Sequence, residues 1–287
     1  MKLHFMKYRK IAYWVSGALV ALSIFGLAFR GLNYGIDFAG GISMEVTPVT
    51  EGYGIEQMRS ALDEFNPELQ EVDGNSILLR IGLPKGSTDA QQNERVSAIK
   101  NILGDNVQYS QVQIVGPKIG GELVRGGILA ILFAFLMMAV YVWIQYKGGY
   151  AVGALVSLFL DFVLMFGFYS WTGLEFNQTA IAIILTGIGY SINDKVVNYD
   201  RIDENVKKYH KMPMADLIDL SVNEMLRRTM LTSVSTLLAM VGLALFGGEM
   251  LRQFAYAMGF SVIMGTFTSI YISNMILYNF NLRDSDK

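Results

Sequence analysis

Six long apolar runs punctuate this chain, at residues 11–29, 123–146, 150–171, 179–199, 230–246 and 254–278. Each is close to the ~20 residues that a helix needs to cross a bilayer. They predict six membrane-spanning helices. The first follows a basic segment, residues 1–10, as a signal peptide would. Its 19 apolar residues exceed the ~7–15 of a secretory signal, and no small-x-small cleavage pattern follows, so an uncleaved first span is expected. Short links at 147–149 and 172–178 predict antiparallel neighbours. A polar loop is expected over 200–228, its 214–226 half amphipathic enough to lie on the membrane surface. Residues 279–287 read as a polar tail.

Between the first and second spans the period changes. Residues 42–48 alternate as a strand does. Ile55, Met58, Leu62 and Phe65 recur at helical spacing, and Asn66-Pro67 stops them. Residues 69–72 and 76–81 are short strands about a tight Asp73-Gly74-Asn75 turn. Val96, Ile99 and Leu103 mark a second helix, ended by Gly104. Residues 107–115 form a last strand whose alternation changes phase near Ser110, as at a bulge. The order βαββαβ is the split, ferredoxin-like pattern, and ~90 residues suffice for one modest core. The predicted fold is a six-transmembrane α-helical bundle with a ferredoxin-like α+β domain inserted between the first two spans. The domains expected are residues 1–29, 30–121 and 122–287.

Composition narrows the chemistry. Residues are 52% hydrophobic, with no cysteine and two histidines, His4 and His210. Thiol chemistry and cysteine-based metal sites are excluded, and proton chemistry in the membrane falls to carboxylates, lysine and arginine. Residues 30–121 carry seven Lys/Arg against twelve Asp/Glu, and the rest carries sixteen against thirteen. The acidic insertion argues against nucleic acid as a partner. By the positive-inside rule the basic ends are cytoplasmic. Both termini are then expected in the cytoplasm of a multi-pass inner (plasma) membrane protein, with the acidic domain periplasmic, or extracellular in a single-membrane cell.

The fourth span carries the candidate chemistry. Ser191, Asp194, Lys195 and Asn198 share one helical face, with Gly187 a turn earlier. A charge at the centre of a spanning helix costs at least ~2.5–3.5 kcal/mol, so it marks a functional position by default. Lys195 is long enough to snorkel to the interface; Asp194 is not. Three other spans offer partners. The third has Gly153, Ser157 and Asp161 in one stripe, and Asp161 is suited to a proton path or to pairing with Lys195. The fifth has Arg228, Thr232, Ser235, Ala239 and Gly242 in one stripe. The sixth has the small pair Gly265 and Ser269. These stripes are expected to face inward. An Asp194–Arg228 pair there would break on protonation and reform, a two-state switch; alternatively Arg228 is one more cytoplasmic flanking charge. Enzyme motifs such as HExxH and GxSxG are absent, and GPKIGG at 116–121 lacks the Lys-Ser/Thr of a phosphate loop. No enzyme activity, cofactor or metal is expected.

Four motifs carry a resemblance: GIDFAGG at 35–41, the 176–201 stretch with GYSIND, RTMLTS at 228–233, and the 246–271 stretch with FGG and GTFTSIY. They resemble the SecF branch of the SecD/SecF family, within the RND superfamily. The resemblance implies that these six spans are half of a twelve-span bundle completed by a SecD-like subunit. It implies a proton or sodium gradient as the energy source, and outer domains that move a translocating polypeptide clear of the SecYEG channel. It places Asp194 and Arg228 on the proton path, and Asp37, Gly40 and Gly41 where the outer domain is coupled to its span. Membrane lipid is the remaining partner. The chain departs from the family pattern at Lys195, Asn198 and Leu160, where a small or hydroxyl residue, a valine and a histidine are usual. A structural subunit without energy transduction, or a stand-alone RND-type small-molecule exporter, would be the rival readings.

Overall fold

The computed structural model describes residues 3–50, 52–72, 75–84, 87–146 and 148–280. The expected turn at Asp73-Gly74, Lys147 of the second link and most of the polar tail lie outside them. The chain divides into two compact units. One comprises Tyr34–Ala130 with Glu175–Gln178; the other comprises Met1–Asn33, Ile131–Leu174 and Thr179–Lys287.

The first unit holds a four-stranded antiparallel sheet. Its strands are β1 (Gly41–Pro48), β2 (Glu68–Val72), β3 (Ser76–Gly82) and β4 (Val107–Val115), in the order β2-β3-β1-β4. This is the ferredoxin-like arrangement. One face packs on α3 (Ile55–Ala61) and α4 (Asp89–Leu103), burying Ile42, Met44, Val46, Leu79 and Ile81 against Met58, Leu62, Ile99 and Leu103. Thr88 caps α4 by accepting from the Gln91 amide, with the Gln91 side chain returning to the Thr88 amide. The phase change in β4 is a bulge: Glu45 pairs with Gln111 and Val46 with Tyr109, leaving Ser110 as the extra residue. The sequence pattern did not indicate α2 (Ile36–Ala39), a single helical turn inside GIDFAGG.

The second unit is helical. It contains α1 (Arg9–Phe29), the C-terminal part of α5 (Pro117–Gln145), α6 (Gly149–Thr172) and most of α7 (Gln178–Lys208). It also contains α8 (Met214–Phe246), α9 (Glu249–Phe267) and α10 (Ser273–Tyr278). Among the described residues, six helices are long and apolar enough to span a membrane; the last is α9 and α10 joined by a π-helical turn, Thr268–Ile272. α6 and this last span are the most buried, while α5 and α8 keep most of their apolar surface outward.

Two expectations are corrected. The 200–228 segment is helical, not a loop, except for 209–213, because α7 runs on to Lys208 and α8 begins at Met214. The 214–226 stretch does not form a separate surface helix. No proline interrupts 214–246, so it continues into the fifth span. Its apolar side is covered by protein: Ile218 and Val222 pack with Phe5 and Met6. The Met6 amide donates to Asp219 Oδ1 at 2.9 Å, and the Leu3 amide to Asn223 Oδ1 at 2.9 Å.

Leu79 is fully buried at the centre of the sheet core. Leu79→Ala is expected to cost about 2–5 kcal/mol, read as faster hydrogen exchange of the β1 and β3 amides with the helical spans unaffected.

Candidate functional site

A closed polar network lies inside the apolar bundle. Lys195, on α7, is 0% exposed. Its Nζ donates to Asp161 Oδ2 on α6 at 2.9 Å, to Thr268 Oγ1 at the start of the π turn at 3.2 Å, and to Ser191 Oγ one turn back. Ser191 Oγ also donates to Asp161 Oδ2 at 2.6 Å, and Thr268 Oγ1 to Asp161 Oδ1 at 2.6 Å. All three lysine donors and both carboxylate oxygens are therefore used. Lys195 does not snorkel: its ammonium has a buried counter-charge, and hydrocarbon leaves a charge no cheaper arrangement. Small residues let the helices close on this network. A Cβ on Gly265 would lie 3.1 Å from Ser191 Cβ, and Ser269 Oγ reaches the Ser191 carbonyl at 3.4 Å. Ser157 and Gly153 continue the stripe on α6. Ser157 is buried, and a Cβ on Gly153 would lie 2.7 Å from the Tyr199 hydroxyl and 3.0 Å from the Ser273 carbonyl.

Asp194 stands apart from that network. It is 5% exposed, and its Oδ2 is buried without a hydrogen-bond partner, as is Asn198 Nδ2. Lys195 and Arg228 both act on its carboxylate electrostatically. Among the described residues, however, no ion pair joins Asp194 to Arg228. Arg228, Thr232 and Ser235 are exposed on α8 within this chain, so the expected inward stripe is corrected. In the spanning half of α8, Thr229 and Ser233 are the residues buried against the bundle, and Ser233 Oγ lies 2.7 Å from Thr266 Oγ1. The difference is about one residue, or 100° of helix phase. The Thr232 and Ser235 hydroxyls are satisfied on their own helix, by the Arg228 and Leu231 carbonyls.

The third set of candidates lies in the sheet-bearing unit. Asp37 lies in the first turn of α2, and its Oδ2 accepts from the amide of Gln178, the first residue of α7, at 3.2 Å. A carboxylate there complements the unsatisfied amides of a helix N-terminus. Gly40 has φ 73°, a conformation that favours glycine, and a Cβ on Gly41 would meet the Ile81 carbonyl at 2.8 Å. The sequence reading missed Glu175 and Arg80, which form a largely buried ion pair beside this motif. Gly35 donates its amide to the Phe176 carbonyl at 3.0 Å, and a Cβ there would collide with Glu175. Burial pushes the Glu175 carboxyl above its usual range, against the opposing pull of the Arg80 guanidinium. The one sequence signal for Thr268 was its place in GTFTSIY. Glu175 offered none beyond an acid in a short loop.

Comparison with known proteins converges on one family. The family model for the protein export membrane protein SecD/SecF, C-terminal, matches residues 95–283, and that for the SecD/SecF GG motif matches residues 25–48. The protein translocase subunits SecF of Rickettsia felis and Rickettsia bellii are each 40% identical to this chain over 99% of its length. The alignments cover 93% and 95% of those proteins. Among solved structures, SecDF from Thermus thermophilus matches 96% of the chain with a TM-score of 0.85 and 30% identity. SecDF in a super-membrane-facing form matches all of it with a TM-score of 0.72 and 30% identity. This chain spans 38% and 40% of the length of those two.

The Asp161–Lys195 pair generates a paired expectation. Asp161→Ala leaves the ammonium buried and unpaired and should cost about 3–5 kcal/mol, whereas the double change Asp161→Leu with Lys195→Met should be near neutral. Reversible unfolding in mixed micelles measures both.

Proposed function

The chain belongs to the SecD/SecF family of protein export membrane proteins as a SecF-type accessory subunit of the Sec translocase, and from that premise we propose how it takes up energy. The coupling group is Asp194. Its carboxylate binds and releases a cation drawn from the transmembrane gradient, and the change of charge alters its attraction to Arg228. The motion is passed along α7 to the sheet-bearing unit, which acts on a translocating polypeptide emerging from a SecYEG channel. Both termini lie in the cytoplasm and the sheet-bearing unit lies on the outer face, as the distribution of Lys and Arg suggests.

One observation carries this reading. Inside a bundle where Lys195, Asp161, Ser191 and Thr268, from three spans, are mutually satisfied, Asp194 is, among the described residues, the buried acid left with an unpartnered oxygen. An ionised group so placed favours a second partner or a bound cation. A SecD-like subunit supplies the rest of the bundle. The row Arg228, Thr232 and Ser235 on α8 is polar and exposed, so a partner helix covers it more favourably than hydrocarbon does. Leu132, Phe133, Leu136 and Trp143 on α5 are exposed and apolar, as a lipid-facing surface requires.

Asp194→Asn keeps size and polarity while removing the charge. In vesicles carrying the translocase, gradient-stimulated completion of export should fall to the level seen without this subunit, with its abundance and its association with the SecD-like partner intact. Undiminished stimulation would leave it a purely structural subunit.

A further inference from the structure

The pocket around Lys195 has a composition that the ion pair alone does not require. Three segments, α6, α7 and the π turn, deliver one carboxylate and two hydroxyls to a single point, and the point is occupied by the lysine ammonium. We propose that Lys195 is a tethered cation filling an alkali-cation site formed by Asp161, Ser191 and Thr268, and that it closes this pocket to sodium.

Four features support the assignment. The ligands are all hard oxygens, which suit alkali and alkaline-earth cations rather than transition metals. They carry one negative charge between them, which a monovalent cation balances and a divalent one exceeds. An ammonium is itself a compact point charge with three donors, and each of those donors here meets one oxygen. Finally, the Asp161 oxygens accept hydroxyl hydrogen bonds from both sides, from Ser191 and Thr268, so the carboxylate is fixed in place facing the ammonium. Shortening Lys195 would leave that carboxylate buried, hydrogen-bonded and without a counter-charge, in a space opened by the lost side chain. A mobile cation is then the group best able to replace the ammonium. Lys195 and Asp194 are adjacent in sequence yet act separately, one as a resident charge and the other as the exchanging site.

The test uses the purified full chain in detergent, melted in sodium, potassium or choline chloride at equal ionic strength. The natural chain should melt alike in all three. Lys195→Ala should melt lower in choline and recover saturably in sodium or potassium, by roughly 5 °C. Adding Asp161→Asn should abolish that recovery. A Lys195→Ala chain indifferent to both alkali cations, or unfolded alike in all three salts, overturns the inference. So does a natural chain stabilised by sodium as much as the variant. The melts do not involve Asp194, so an Asp194→Asn chain with undiminished export would defeat the coupling reading while leaving the cation site standing.

Discussion

The bundle depends on how a charge is accommodated where water is absent. Lys195 is completely enclosed, and the attraction of its ammonium to Asp161 sets the rotation of α7 against α6 and against the π turn. That rotation has a second effect. Successive residues on a helix are about 100° apart, so turning Lys195 towards Asp161 turns Asp194 away from it. The two neighbours are thereby separated into a satisfied charge and an unsatisfied one. A buried ion pair seldom adds much stability over apolar packing; its contribution here is orientation.

A comparable economy governs the sheet-bearing unit. The GIDFAGG stretch forms a short turn that sits among Phe176, Glu175 and the first amide of α7. Phe38 and Tyr34 both pack on the Phe176 ring, at 5.8 and 6.2 Å between centroids. The Arg80–Glu175 pair then ties β3 to the same loop. Four residues from a link between two spans are thus built into the sheet-bearing unit, and α7 leaves it directly after Gln178.

Much of this was legible in the sequence because it depends on local periodicity. Six apolar runs, the βαββαβ order and the bulge at Ser110 are each written in the alternation of neighbouring side chains. What periodicity reports is a face, not what the face meets. Arg228, Thr232 and Ser235 do form a stripe, but they look outward from this chain, and Thr229 and Ser233 look in. The fate of Lys195 could not be read from its own helix either. Snorkelling and pairing are both open to a lysine, and the decision lay with Asp161 and Thr268, 34 and 73 residues away. Arg80 and Glu175 are 95 residues apart, and nothing local to either announces the other. The length of α8 was underestimated because its polar first half suggested a boundary that no proline enforces.

The π turn at Thr268–Ile272 carries one surplus residue between two regular helical stretches, and its carbonyls are met locally. Ser273 Oγ donates to the Ser269 carbonyl at 2.8 Å, and Asn274 Nδ2 to the Ile270 carbonyl at 2.8 Å. Length therefore matters here in a way that side-chain identity does not reveal. Losing a single residue would swing everything beyond it by about a quarter turn, carrying the Ser273 carbonyl away from Gly153 and Tyr199 while Thr268 stayed in place. The outward-facing helix α5, with few inward contacts to misalign, would absorb the same loss with far less harm. Over evolutionary time the spacing between Gly265 and Asn274 should then be held more tightly than the identity of many residues inside it.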